Sequence, residues 1–121
     1  MQHRQQLESA FRDSLTFNYS DCFELVKPLI ESADISIGNL EVTLGSPPYT
    51  GYPRFSSPQE FAQAIQNAGF DLMLTANNHC LDRGRKGVVS TIRILDSLGI
   101  ARCGTYLDQA DRDSLYPQIG R

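Results

Sequence analysis

The chain has no basic block, no C-x-x-C pair and no apolar run near the ~20 residues that a membrane span requires. Each absence removes a class of function. With a formal net charge of −3 and no run of Lys and Arg, nucleic acid is not an expected partner, because phosphate-backbone binding leans on grouped cations. The three cysteines, Cys22, Cys80 and Cys103, are an odd number at spacings that build neither a disulfide framework nor a zinc knuckle. The start, Met1-Gln2-His3-Arg4-Gln5-Gln6, is too polar for a signal peptide. A weak group of cations does occur at Arg83, Arg85 and Lys86; it reads as a solvated helix start that could also meet an anionic substrate. What remains is 121 residues, 40% of them apolar, which is material for one small core.

Four helical patterns are legible. The first, about Gln5 to Ser14, puts Leu7, Ala10 and Phe11 on one face. The second opens at Ser20 and stripes Phe23, Val26, Leu29, Ile30 and Ala33, with a kink or early break expected at Pro28. The third has Ser57 as N-cap, Pro58 at its first position and Glu60 completing a capping box; Phe61, Ala64, Ile65 and Ala68 follow, and Gly69 closes it. The fourth runs from about Lys86 to Ser97, burying Val88, Val89, Ile92 and Leu95 before Gly99.

Strand candidates fall between these helices, at Asp34 to Asn39, Phe70 to Ala76 and Ile100 to Cys103. Alternation of this kind builds a parallel sheet with helical crossovers. The segment from Gly45 to Phe55, rich in Gly, Pro and aromatics, reads as a long ordered loop at the carboxyl edge of that sheet. The tail from Gln109 to Arg121 is polar with little periodicity and does not read as a finished domain edge.

Two of the strands end in the same kind of chemistry. Phe70 to Ala76 runs into Asn77-Asn78-His79, and Asp34 to Gly38 into Asn39-Leu40-Glu41. Ligands of open α/β sheets bind beyond the carboxyl ends of strands, where amides, a carboxylate and an imidazole can hold a metal or supply a proton. Asn77 and Asn78 also suit a plain turn. Two strand ends that both finish in metal-capable side chains favour the site. Cys80 follows His79 directly, but Leu81-Asp82-Arg83-Gly84 supply no second base, so a thiol nucleophile is disfavoured.

Several motifs occur in a fixed order along nearly the whole chain: Asp34-Ile35-Ser36-Ile37-Gly38-Asn39-Leu40-Glu41, Tyr49-Thr50-Gly51-Tyr52-Pro53-Arg54-Phe55, Gly69-Phe70-Asp71, Thr75-Ala76-Asn77-Asn78-His79 with Asp82 and Gly84, Leu98-Gly99-Ile100, and Gly104-Thr105-Tyr106. In this combination the chain resembles the CapA-type family of capsule or poly-γ-glutamate synthesis proteins, within the calcineurin-like metallophosphoesterase group. The resemblance implies an α/β fold, part of a metallophosphoesterase-like α/β sandwich with a mostly parallel sheet. It also implies a metal site at the carboxyl edge, holding divalent ions (Mn, Fe or Zn), two of them in the complete domain. Asn78 would be a ligand through its amide oxygen, Glu41 would stand for the bridging carboxylate, and His3 would lie at the edge of the site. His79 would donate a proton or hydrogen bond to a phosphate oxygen, and Asp82 would orient it. Asn39 would be a supporting partner or a turn residue.

The family pattern begins with a strand ending in Gly-Asp, then Met and Gln-His; Met1-Gln2-His3 resembles only the tail of that motif. Later His-containing motifs have no counterpart. The expectation is a partial domain over residues 1–121, truncated at both ends. A sheet lacking its first strand would expose an edge at Asp34 to Asn39 or at Phe70 to Ala76 and invite aggregation. The functional expectation is part of a capsule or poly-γ-glutamate biosynthesis protein with a metal-dependent phosphoesterase-like site. Its partners would be an anionic polymer or phosphoester substrate and membrane-associated capsule assembly proteins. The rival is a catalytically silent scaffold that binds polyanionic polymer or an assembly partner. A general phosphoesterase for small esters is disfavoured by the Tyr49 to Phe55 loop. Family members act outside the cytoplasm with a leader or anchor, although this chain carries no such signal.

Overall fold

The structure is a computed structural model and describes residues 3–13 and 16–119. Helix α1 (Arg4–Ala10) is followed by strands β1 (Phe11–Asp13) and β2 (Thr16–Phe17), which pair antiparallel. The first helix is thus shorter than its sequence pattern: Phe11 turns to extended backbone and pairs with Phe17, and Ser14 lies outside the described residues. A 3-10 turn at Ser20–Cys22 then precedes helix α2 (Lys27–Glu31). The expected single helix from Ser20 is broken, but upstream of the proline. Pro28 sits in the first turn of α2, where its missing N–H has no partner to lose, so the helix starts there.

The remaining elements alternate. They are β3 (Ile37–Asn39), β4 (Thr43–Leu44), β5 (Ser56–Ser57), α3 (Gln59–Ala68), β6 (Leu72–Leu74), α4 (Gly84–Ser97), β7 (Ala101–Cys103) and α5 (Gln109–Ile119). Strands β3, β6 and β7 form one parallel sheet in that order, with Gly38, Met73 and Arg102 in register. Strands β4 and β5 form a second parallel pair. The protein is therefore mixed α/β with mostly parallel sheets, as the alternation of patterns requires. β6 is central, so the edge at Phe70 to Ala76 does not exist: both sides of that strand are paired, and among the described residues β3 and β7 are the edge strands. Ile37 on β3 and Leu74 on β6 share a sheet face and stay 55% and 41% exposed.

The other face carries the core. Met73 packs there with Leu40, Val42, Leu44, Phe55, Ile65, Leu95 and Ile100. α4 reaches β4 closely at Gly87, where an added Cβ would lie 2.6 Å from Thr43 Cγ2. One turn on, Thr91 Oγ1 accepts from Leu44 N–H at 2.9 Å and donates to the Gly87 carbonyl at 2.8 Å, which pins strand to helix. Val88 and Val89, expected in the core, are only half-buried; Gly87 and Thr91 take the contact face instead. A second cluster joins Ala10, Tyr19 and Ala64 beneath Phe17, Phe23 and Phe61.

One further expectation is corrected. The capping box at Ser57 and Glu60 does not form, because Ser57 is drawn into β5 opposite Leu44 and extended Pro58 becomes the N-cap. The polar tail is a helix, α5. Asp108 accepts from Asp111 N–H at 2.9 Å at its start, and Arg102 holds Asp111 by two hydrogen bonds. Local capping and one tertiary clamp thus order a segment with no apolar stripe. Among the described residues no helix is long and apolar enough to cross a membrane.

Candidate functional site

Pairing between β3 and β6 continues one step beyond β3, through Leu40 N–H to the Leu74 carbonyl at 2.9 Å. The two chains then diverge at the carboxyl edge, and Asn77 fills the gap. Its side-chain amide donates to the Leu40 carbonyl at 2.9 Å and to Asn39 Oδ1 at 3.2 Å, while its Oδ1 accepts from His79 N–H at 3.0 Å. Asn39 in turn donates to Glu41 Oε2 at 3.2 Å. The network Glu41–Asn39–Asn77–His79 therefore ties both strand ends together on one edge of the sheet. Asn77 uses both of its amide donors here and acts as the turn residue. Asn78 is exposed, and among the described residues its side chain makes no hydrogen bond.

His79 is fixed on three sides. Its Nδ1 lies 2.8 Å from Asp82 Oδ2, its carbonyl accepts from Thr43 Oγ1 at 3.3 Å, and its ring meets the Phe55 ring edge-to-face at 4.6 Å between centroids. Asp82 Oδ2 also accepts from Phe55 N–H at 2.7 Å, so one carboxylate fastens both the imidazole and the loop. The side chains of His79 and Asp82 are 14% and 12% exposed. With Nδ1–H turned toward a carboxylate, Nε2 is the nitrogen left over to bind or donate. This is the arrangement seen around metal-binding and proton-transferring histidines.

His3 stands on the far side of Phe55, with ring centroids 6.0 Å apart. It is the N-cap of α1 and its N–H donates to Gln6 Oε1 at 2.8 Å. The structure does not bring His3 into contact with His79; the buried Phe55 ring separates them. Gly51 packs against the Arg4 backbone, so the loop from Gly45 to Phe55 is wedged between α1 and the site. Cys80 is half-buried, and among the described residues its thiol has no basic partner.

A divalent ion was tested against these donors. Among the described residues no three His, Cys, Asp or Glu side chains come together as a metal cluster. The oxygen of Glu41, the free amide of Asn78 and Nε2 of His79 are hard or borderline donors that suit Mn, Fe or Zn, and the Asp82–His79 pair is of the kind that supports such a ligand. By donor chemistry, then, the residues suit such an ion. Two ions need donors from beyond these residues.

Phe55 and Asn77 are site residues whose roles no local pattern announced. A loop aromatic and the first Asn of an Asn-Asn pair both read equally well as surface turn. The signal was present only in Asp82, three residues after His79, where a turn returns the carboxylate to the ring.

The family model for bacterial capsule synthesis proteins (PGA_cap) matches residues 1–118. The uncharacterized proteins y4sH and y4uA of Sinorhizobium fredii (strain NGR234) are each 36% identical over 91 residues, covering 68% of this chain and 20% of the relative. The capsule biosynthesis protein CapA of Bacillus anthracis is 31% identical over 77 residues, covering 59% of this chain and 19% of that protein. The chain thus spans about a fifth of the length of the curated relatives it matches. With the family model spanning nearly every residue, the Asn-Leu-Glu and Asn-Asn-His strand ends sit in a chain that belongs to the bacterial capsule synthesis protein family.

Proposed function

We propose that the chain contributes part of a metal-dependent, phosphoesterase-like site to a protein of capsule biosynthesis, acting on poly-γ-glutamate or a related anionic polymer or phosphoester. The observation that carries this reading is the clasp of His79 Nδ1 by Asp82, which leaves Nε2 free beside an uncommitted Asn78 and a carboxylate at Glu41. Glu41 and Asn78 would hold the divalent ion, Mn, Fe or Zn, with His3 at the margin. When bound, such an ion would supply an acidified water and charge stabilisation at phosphorus. His79 would present Nε2 as a proton or hydrogen-bond donor to a phosphate oxygen. Asp82 fixes the ring and stabilises the imidazolium. The Phe55 ring keeps water from the inner side of the imidazole. Membrane-associated capsule assembly proteins outside the cytoplasm are the partners this reading implies.

The test uses the full-length protein. Calorimetric titration with Mn²⁺ should show binding that weakens about tenfold or more in Glu41→Gln and in Asn78→Ala. Metal loading should be accompanied by hydrolysis of an aryl phosphate. Unchanged metal affinity in both variants would sink the assignment of ligands. A full-length protein that binds no metal and turns over no phosphoester would return the reading to a scaffold.

A further inference from the structure

The chain contains eleven Lys and Arg residues. Among the described residues, Arg4, Arg12, Lys27, Arg102 and Arg112 each pair with a carboxylate. Arg54, Arg83, Arg85, Lys86 and Arg93 pair with none, and all but Arg54 line two adjoining hollows along α4 and its N-cap. On a protein of net negative charge, these four uncompensated cations repel each other. An anion that binds there relieves that repulsion.

The smaller hollow, about 260 Å³, has the make-up of an oxyanion site. Arg83, Lys86, Ser46 and Ser90 all line it. Arg83 also carries an independent sign. Its Nη2 donates to the Pro48 carbonyl, but its Nε is buried and has no hydrogen-bond partner among the described residues. An acceptor reaches that donor only if the side chain shifts, and then makes a hydrogen bond that the folded protein leaves unmade. The hollow opens at Lys86 and Ser90 into the larger one, about 700 Å³, which runs along Val89 and Ile94 between Arg85 and Arg93. No aromatic side chain lines either hollow, so nothing there could stack a nucleic-acid base.

We propose that this face of α4 binds an organic phosphate, with its phosphoryl group held by Arg83, Lys86, Ser46 and Ser90. The organic portion lies along Val89 and Ile94. The positive charges of Arg83 and Lys86 and the two hydroxyls match an oxyanion with several acceptor oxygens, and the apolar residues Val89 and Ile94 reward a carbon substituent. The surface shares no residue with Glu41, Asn78 or His79, so it stands whether or not those residues bind metal. The phosphoryl group can come from a soluble phosphomonoester or from a lipid headgroup.

Two lysines, Lys27 and Lys86, give the chain an internal control. Lys27 is paired with Glu31 away from the groove. The measurement is acetylation of each lysine, read by mass spectrometry in chelator-treated protein. Its arms contain inorganic phosphate, phenyl phosphate, vesicles with phosphatidic acid, or poly-glutamate. Phosphate and phenyl phosphate should protect Lys86 and leave Lys27 unchanged, with phenyl phosphate the stronger. Protection should persist in His79→Asn, which separates this surface from the metal-site reading. Ser46→Ala and Arg93→Gln should weaken protection of Lys86 about tenfold in the phenyl phosphate concentration required, without changing the melting temperature. Stronger protection by phosphatidic acid vesicles than by phenyl phosphate assigns the source to a headgroup, and the reverse order to a soluble ester. Equal labelling of Lys86 with and without every phosphate probe overturns the proposal, as does protection by poly-glutamate alone.

Discussion

Two polar networks flank the central strand β6, and they differ in how completely they are filled. At the β7 side, Arg102 is 5% exposed and makes five hydrogen bonds: two to Asp96 at 2.7 and 3.1 Å, two to Asp111 at 2.9 and 3.2 Å, and one to the Thr105 carbonyl at 3.2 Å. A guanidinium has five N–H donors, so this clamp is saturated. At the carboxyl edge of β3 and β6, the network through Asn77, His79 and Asp82 is anchored just as firmly, yet it leaves His79 Nε2 and the Asn78 amide unused. A filled network can only hold the fold together. A network with fixed, unfilled valences is free to act on something else.

Substitutions can break that contrast, and the largest expected effect is on activity. In the metal-loaded full-length protein, His79→Asn should lower phosphoester turnover about 10²–10⁴-fold with little change in melting temperature. A variant that keeps full turnover and melts early would make His79 a structural residue and erase the difference between the networks. Arg102→Ala should do the opposite. Burial alone would make the guanidinium easier to deprotonate, but its bonds to Asp96 and Asp111 more than offset this and raise its pKa. Removing it should cost about 3 kcal/mol in chemical denaturation, near the low end for a broken buried pair because Asp96 remains half exposed. Metal binding at the other edge should be unaffected.

Asp82→Ala belongs to both categories. It strips the imidazole of its partner and leaves Phe55 N–H without an acceptor, so it should cost about 2 kcal/mol of stability as well as activity. A loss of activity alone would show that the loop does not depend on this carboxylate.

Acid should weaken the clamp as Asp111 takes up a proton. The hydrogen bonds from Arg102 hold the Asp111 pKa below its usual carboxylate range. A carboxylate depressed in the folded state contributes stability above its unfolded pKa of about 3.9 and loses it as pH falls through the folded value. Melting temperatures followed from pH 5 downward should therefore drop below about pH 4, and less so in Asp111→Asn. An identical acid profile in that variant would remove Asp111 from the account. The smallest effect is expected at the β3 edge. Ile37→Lys, at a 55% exposed position, should change stability by no more than about 0.5 kcal/mol while reducing self-association seen by light scattering.

The saturated clamp was invisible in the sequence, and the unfilled edge was partly legible. Arg102 sits in a strand, Asp96 near the end of one helix and Asp111 in the first turn of another, so their meeting depends on chain crossing and leaves no local pattern. The strand ends are different: Asn39 to Glu41 and Asn77 to His79 each follow an apolar run directly, and only the parallel pairing was needed to bring them together. The central position of β6 was missed because edge and centre differ by which strands pair, and Phe70 to Ala76 would look the same in either place. The Ser57 capping box failed for a related reason. A local signal of about 1 kcal/mol lost to a strand pairing that the sequence does not encode nearby. By contrast, α4 and the Gly69 stop, with φ at 99°, rest on neighbouring residues alone and appear where the pattern puts them.

The second core cluster also gives the protein an optical reporter. The sequence has no Trp and five Tyr, so near-ultraviolet signals come from tyrosine and phenylalanine. Tyr19 is 2% exposed, stacks on Phe17 and meets Phe61 edge-to-face at 5.1 Å. Burial pushes its phenol to a higher pKa, with Cys22, Glu60 and Tyr49 acting in the same direction. In an alkaline absorbance titration Tyr19, whose phenol is raised further than those of Tyr49 and Tyr106, should therefore ionise after them. The red-shifted absorbance of the Tyr19 phenolate marks the moment when the packing between α1, α3 and the 3-10 turn opens, so that part of the molecule can be watched coming apart without a label.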